Sequence, residues 1–221
     1  MFFLKDCLPN IPEQIDILFK HSTTILIKVS PMLDISKGIS ELKYVKEVHI
    51  IAIQNEVKEL LFLLELGNTK NTRIKTINIT KNDRQCFSFN RAEETLAKSK
   101  IEEPLTYLYE PNTALLKSGA FNLISAKLNI PKLHQHTHLY TSEELIKFPG
   151  RTFKIETVLD YNKKLLKRYF KDKKANISTR NFPISVPQLK KEFNIKDGGT
   201  VYAFFTTDAN NNKKVIITSK I

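Results

Sequence analysis

The chain reads as α/β: an incomplete, mostly parallel sheet half-domain, then a small connector, then a C-terminal α+β module of order β-α-β-α-β-β. Three observations point there. Apolar runs of strand length alternate with helix-period segments through residues 1–84. Residues 85–150 are less regular and are interrupted by prolines. Residues 151–221 alternate strand and helix twice and then end on a hairpin pattern, while carrying most of the positive charge. Domains are therefore expected over 1–84, 85–150 and 151–221.

In the first segment Pro12 marks a helix start ahead of residues 13–19, and residues 23–29 (TTILIKV) form a β-branched apolar run of strand length. A short helix is expected around 36–43, a strand over 45–53 (VKEVHIIAI), an Asn55-capped helix through Leu64, and a third strand over 74–80. This alternation predicts a mostly parallel sheet covered by helices, with three strands, too few for a complete doubly wound domain. The glycines, Gly38, Gly67, Gly119, Gly150, Gly198 and Gly199, form no G-x-G after a strand. A glycine-rich first turn is what lets a backbone approach a dinucleotide or adenosyl ligand closely. P-loop, G-x-S-x-G and H-E-x-x-H patterns are also missing from the sequence.

The connector holds the Tyr107-Leu108-Tyr109 stretch between Pro104 and Pro111. Residues 111–130 follow, where Leu115, Leu116, Phe121, Ile124 and Leu128 recur at helical spacing and Gly119 is a candidate break. In the last segment, residues 151–161 read as a strand with inward Phe153, Ile155, Thr157 and Leu159. From Asn162 a helix carries Leu165, Leu166, Tyr169 and Phe170 on one stripe and Lys163, Lys164, Lys167, Arg168 and Lys171 on the other. A strand over 175–181 precedes a capping box at Ser185–Gln188, and a hairpin joins 200–207 to 213–219 across an Asn-rich tip. Two helices on one face of a sheet are expected.

Charge is distributed unevenly. Residues 151–221 hold sixteen Lys/Arg against six Asp/Glu, whereas residues 1–150 hold nineteen against seventeen, so nearly all of the net +12 lies in the last third. Such a patch captures polyanions through counterion release, which points to nucleic acid first and an anionic membrane surface second. The candidate nucleic-acid residues are Lys163, Lys164, Lys167, Arg168, Lys171, Lys173, Lys174 and Arg180. Asn176, Ser178 and Arg180 share one face of their strand and Tyr202 with Phe204 one face of theirs; core packing is the favoured role for the two rings. The apolar opening Met1-Phe2-Phe3-Leu4 is cut short by Lys5 and Asp6, and no apolar run approaches the ~20 residues of a membrane span, so a soluble cytoplasmic protein is expected. Cys7 and Cys86 lie far apart and read as buried or idle thiols.

Among other polar groups, His134, His136 and His138 would share one side of a strand. The outer two would then be ~13 Å apart, too far to share a metal, and they read as loop histidines. Ser30 and Asp34 follow a predicted strand at the carboxyl edge, where open α/β sheets place ligands, although Asp34 equally reads as a helix cap. Glu110 before Pro111 reads as a helix start. No carboxylate pair and no nucleophile–base pair is identifiable, so no catalytic residue and no metal ligand is assigned.

Several strings in order are similar to one family: residues 30–34 (SPMLD), 47–49 (EVH), 55–65 (NEVKELLFLLE), 109–112 (YEPN) with 117–119 (KSG), 133–134 (LH), 138–142 (HLYTS), 148–151 (FPGR) and 180–183 (RNFP). Together they resemble bacterial class I S-adenosylmethionine-dependent methyltransferases with a C-terminal THUMP-like domain, over almost the whole chain. The resemblance implies an incomplete Rossmann-like methyltransferase half-domain, a helical or ferredoxin-like connector and a THUMP-like module. It also places the glycine-rich cofactor motif and the Asp-Pro catalytic loop ahead of Met1, so S-adenosylmethionine is implied for the family but is not expected to bind this chain alone. Ser30 and Asp34 would mark only the edge of its cleft. The implied role is recognition of RNA, tRNA or rRNA. The alternative is a protein-interaction or structural module that completes its sheet with a partner chain or as a homo-oligomer.

Overall fold

The computed structural model describes residues 3–221; Met1 and Phe2, which open the apolar start weighed above, lie outside the described residues. The chain forms two compact units, Met1–Ala97 with Asn112–Ala120, and Lys98–Pro111 with Phe121–Ile221.

The first unit runs from a 3-10 turn, Leu4–Asp6, through α1 (Ile11–Leu18), β1 (Thr24–Val29), α2 (Ile35–Glu41), β2 (Val45–Ile53), β3 (Glu56–Glu65), β4 (Arg73–Ile79), β5 (Arg84–Asn90) and α3 (Arg91–Leu96), and takes back α4 (Thr113–Ser118). Its strands lie in the order β1-β3-β2-β4-β5. β2 and β4 are parallel, β3 runs antiparallel to both β1 and β2, and β5 is antiparallel to β4. Register places Ile27 and Val48 on either side of Phe62, and one face of the sheet buries Val48, Ile50, Ala52, Leu60, Phe62, Leu64 and Ile74. α4 packs across β2, β3 and β4. α2 meets the same face at Gly38, where a Cβ would lie 2.6 Å from Cζ of Phe62, so only glycine permits that approach.

The helix expected over 55–64 is the strand β3. Leu60, Phe62 and Leu64 point to the buried face while Leu61 and Leu63 stay half-buried on the other, a period of two. Five consecutive apolar residues satisfy a helical period as well, and the turn decides. Gln54 (φ 50°) and Asn55 (φ 63°) are both left-handed, as a two-residue hairpin loop of the primed type requires, and Ile53 pairs with Glu56 across it. Asn55 therefore reverses the chain instead of capping a helix; its amide donates to Oδ1 of Asn78 at 3.0 Å. Because β3 inserts antiparallel and β5 adds an edge, the sheet is mixed and five-stranded, not a three-stranded parallel one.

The second unit comprises β6 (Tyr107–Pro111), α5 (Phe121–Leu128), β7 (Lys132–His134), β8 (Thr137–Ser142), β9 (Gly150–Asp160), α6 (Lys163–Phe170), β10 (Asn176–Arg180), α7 (Val186–Phe193), β11 (Val201–Thr207) and β12 (Lys213–Lys220). Its final six elements follow the order expected from sequence. The sheet order is β10-β11-β12-β9-β6-β8-β7, with only β10 and β11 parallel among these neighbours. The connector strands β6, β7 and β8 thus extend the C-terminal sheet.

Both faces of that sheet carry a core. α6 and α7 cover one, where Leu166, Phe170, Leu189, Phe193, Phe205, Val215 and Ile217 are buried. The opposite face buries Leu108, Leu133, Leu139, Phe153, Phe204 and Ile216, so Phe204 is a core residue and Tyr202 packs on Phe153 at 5.2 Å. β9 serves both cores through a bulge. Ile217 pairs with Thr157 and Thr218 with Ile155, which leaves Glu156 unpaired and sends Ile155 to one core and Leu159 to the other. The single inward row read from sequence is therefore split. The sheet also curls until β8 and β11, each next to an end strand, touch: Oγ1 of Thr137, at the start of β8, donates to the carbonyl of Thr207 on β11 at 3.3 Å.

Candidate nucleic-acid interface

Asn162 caps α6 by accepting from the Leu165 amide at 3.1 Å, which fixes the helix phase. Leu166 and Phe170 are then fully buried, Tyr169 is half-buried, and Leu165, expected in the stripe, is 37% exposed. Lys163, Lys164, Lys167, Arg168, Lys171, Lys173 and Lys174 are all exposed.

These cations are not equivalent. Nζ of Lys163 sits 2.5 Å from Glu192 Oε1 on α7. That hydrogen bond, helped by the Glu192 charge, holds Lys163 above the usual lysine value, and the same bond holds Glu192 below the usual carboxylate value. Nζ of Lys173 lies 3.9 Å over the Tyr169 ring, whose hydroxyl is pushed up mainly by burial and then by the charge of Glu156. Lys164, Lys167, Arg168, Lys171 and Lys174 have no acidic partner within salt-bridge distance among the described residues. A bridge between Lys174 and Lys196, with the Ala175 amide donating to the Lys196 carbonyl at 3.0 Å, brings the Lys196 backbone alongside Lys174. Sequence reading missed Lys196 because it lies 22 positions away on the loop after α7.

Arg180 does not join this strip. Its Nη2 donates to Glu110 Oε1 at 2.5 Å, while Nε (2.6 Å) and Nη2 of Arg151 both bond Glu110 Oε2. The Glu110 side chain is 3% exposed and each arginine side chain 35%. Glu110 is thus a buried strand residue of β6, and the expected helix start belongs to Asn112, whose Oδ1 accepts from the Leu115 amide at 2.9 Å. Nearby, Nδ1 of His134 accepts from the His136 amide and faces Asn181 Nδ2, both at 3.0 Å, so the ring proton sits on Nε2, 3.1 Å from Asn211 Oδ1. The three histidines do not share a strand: His134 ends β7, His136 lies in the turn, and His138 sits in β8 stacked on Phe121 at 3.6 Å. Burial, then the charges of Lys132, Arg180 and His136, lower the His138 pKa to about 4.

Ser30 and Asp34 follow β1, and their own turn occupies both. Ser30 Oγ accepts from the Met32 amide at 3.2 Å, and Asp34 Oδ1 caps α2 through the Lys37 amide at 2.9 Å. A cleft of about 390 Å³ in the first unit lies elsewhere, lined by Lys46, Glu47, Asn68, Lys70 and Arg73. Both cysteines are exposed and free. No helix among the described residues is long and apolar enough to cross a membrane.

Two known domain families match the C-terminal half of the chain. Residues 150–220 match a THUMP domain-like family. The preceding residues 107–149 match a ferredoxin-like domain family, so the two matches meet where β9 begins the THUMP-like region. Among solved structures, the chain is similar to a protein described as a "putative methyltransferase" from Porphyromonas gingivalis W83, at 35% identity and a TM-score of 0.94. The match covers 100% of this chain and 57% of that one, so the present chain spans little more than half the length of its structural relative. No curated protein matches the chain. The α6 cations and Lys196 all lie within the THUMP-like region.

Proposed function

We propose that this chain is the substrate-recognition portion of an S-adenosylmethionine-dependent methyltransferase-like protein, that it binds RNA, tRNA or rRNA, through the α6 face of its THUMP-like module, and that it does not transfer methyl groups by itself. We read it as a Rossmann-like half-domain over 1–84, a connector over 85–150 and the recognition module over 151–221. The observation that carries the reading is the row of exposed cations on α6, of which Lys164, Lys167 and Arg168 have no acidic partner within salt-bridge distance among the described residues, in a region that matches the THUMP-like family. Adenosyl ligands on α/β sheets sit over glycine-rich turns that admit a close backbone approach. The β1–α2 turn contains no glycine before Gly38, and Ser30 and Asp34 are spent on the backbone of that turn, so these residues do not make such a cradle alone. Titration of labelled tRNA and rRNA-fragment transcripts across a salt series tests the RNA reading: affinity should fall steeply with salt, and salt-insensitive binding or none would refute it. Calorimetry with S-adenosylmethionine should give no signal for this chain.

A second reading, a module that completes its sheet with a partner chain or a second copy, is favoured by one observation. Among the described residues β1 pairs only with β3, which leaves its other edge open, and Leu26 on β1 is 61% exposed. Light scattering on the isolated chain would show a dimer if a second copy fills that edge.

A further inference from the structure

Glu110, Arg151 and Arg180 come from β6, β9 and β10, three strands that are not all neighbours in the sheet, and meet only because the sheet curls. We propose that Arg151 and Arg180, held in place by the Glu110 carboxylate, form a second RNA contact that takes a backbone phosphate. This deepens the RNA reading above and rests on it.

The charge balance is the first reason. A carboxylate that is 3% exposed needs a compensating cation, and one bidentate arginine supplies it. Here two guanidiniums share one carboxylate, leaving an uncompensated positive charge at a half-exposed position. Free donors are the second reason. A guanidinium carries five N–H groups. Arg151 directs Nε and Nη2 at a single oxygen, Glu110 Oε2, and Arg180 uses Nη2 on Oε1 and Nη1 on the Thr179 carbonyl at 2.8 Å. Each side chain keeps further N–H groups, and about a third of each remains accessible, 35% in both cases.

Orientation is the third reason. Arg151 lies 5.4 Å from the Phe153 ring centroid and is fixed twice to Glu110, so its planar fork is ordered before any ligand arrives. A preordered guanidinium loses little entropy on accepting a second oxyanion, and its geometry matches phosphate. A lysine strip such as α6 attracts a polyanion over distance, whereas a clamped arginine pair fixes where one phosphate rests.

The test compares the whole chain with the double variant Glu110→Gln/Arg180→Gln, using a fluorescently labelled tRNA transcript and a melting curve for each protein. The double change leaves net charge unaltered and orphans no buried charge, so a merely electrostatic or structural role predicts unchanged RNA affinity. The proposed site predicts a loss of about fivefold to tenfold from the missing second guanidinium and the lost orientation of Arg151, at a salt dependence little changed because the local charge is kept. If the wild-type chain binds RNA and the Lys163, Lys164, Lys167, Arg168→Ala variant loses it while the double variant binds normally, the site is overturned and the RNA reading stands. If the wild-type chain binds no RNA, both fall. Should the double variant fail to fold, the Nε–Hε resonances of Arg151 and Arg180 in the wild-type chain decide. Movement with tRNA supports the site, movement with inorganic phosphate alone overturns the RNA assignment, and movement with neither overturns the site.

Discussion

Lys163 and Lys167 sit one helical turn apart on α6, yet the structure separates them in what they can offer an RNA. Lys163 is bound at 2.5 Å to Glu192, and removing it strips one positive charge while freeing one negative charge next to it. Lys167 has no acidic partner within salt-bridge distance among the described residues. Each phosphate contact contributes about 0.7–0.9 to the slope of log affinity against log salt, which at about 0.1 M salt is close to a sixfold change in affinity. Lys167→Ala should therefore weaken tRNA binding about sixfold and lower the slope by nearly one. The triple variant Lys164, Lys167, Arg168→Ala should lose about two decades and about two to three slope units. The charge-matched double variant Lys163→Ala/Glu192→Gln should stay within about twofold, because it removes a pair whose charges already cancel. Anisotropy titrations at several salt concentrations read both quantities. Equal losses for Lys163→Ala/Glu192→Gln and Lys167→Ala would refute the reasoning, since the paired lysine would then contact RNA as much as the one outside salt-bridge distance of an acid.

Phe205 is fully buried with Tyr161, Phe170, Phe182 and Phe193 around it at ring distances of 6.3, 6.3, 5.6 and 6.2 Å. Phe205→Ala should cost about 3–5 kcal/mol in urea unfolding, followed by tyrosine fluorescence because the chain has no tryptophan; a cost below about 1 kcal/mol would contradict the packing described. At Gly150 a Cβ would collide with the Glu110 carbonyl and come within 2.9 Å of Pro111 Cα, so Gly150→Ala should destabilise the β6–β9 pairing by about 1–3 kcal/mol, and an unchanged melting temperature would show that pairing to be slack. His138 is held at about 4 against an ordinary value of 6.5, so the unfolded chain takes up a proton that the folded chain refuses. Stability should fall as pH drops from about 6.5 towards 4, and His138→Gln should flatten that part of the profile; an identical slope in the variant would discount the burial described.

How far the sequence foretold this depends on where each signal resides. Local caps were readable: Asn162, Asp34 and the Ser185–Gln188 box all work in the structure on the turn that contains them. The order of the last six elements was readable because period and punctuation agreed there. β3 was not, since Leu60–Leu64 is apolar at every position and only the left-handed pair Gln54–Asn55 distinguishes a hairpin from a cap. The cation stripe of α6 was legible, but its internal inequality was not, because Glu192 lies on another helix. Glu110 was misread for the same reason. Its partners are 41 and 70 positions downstream, and nothing within its own segment hints that the sheet closes over it.

The return of Asn112–Ala120 to the first unit has a practical outcome for anyone dissecting the protein. The chain leaves that unit after Ala97, contributes β6 elsewhere, comes back to lay α4 across β2, β3 and β4 with Ala114 and Leu115 fully buried, and departs again. A fragment cut at residue 97 would uncover the sheet face that α4 protects, so a cut anywhere between residues 97 and 112 should give an insoluble first unit. Grafting the α4 segment onto residues 1–97 through a short linker is the way to obtain the first unit alone.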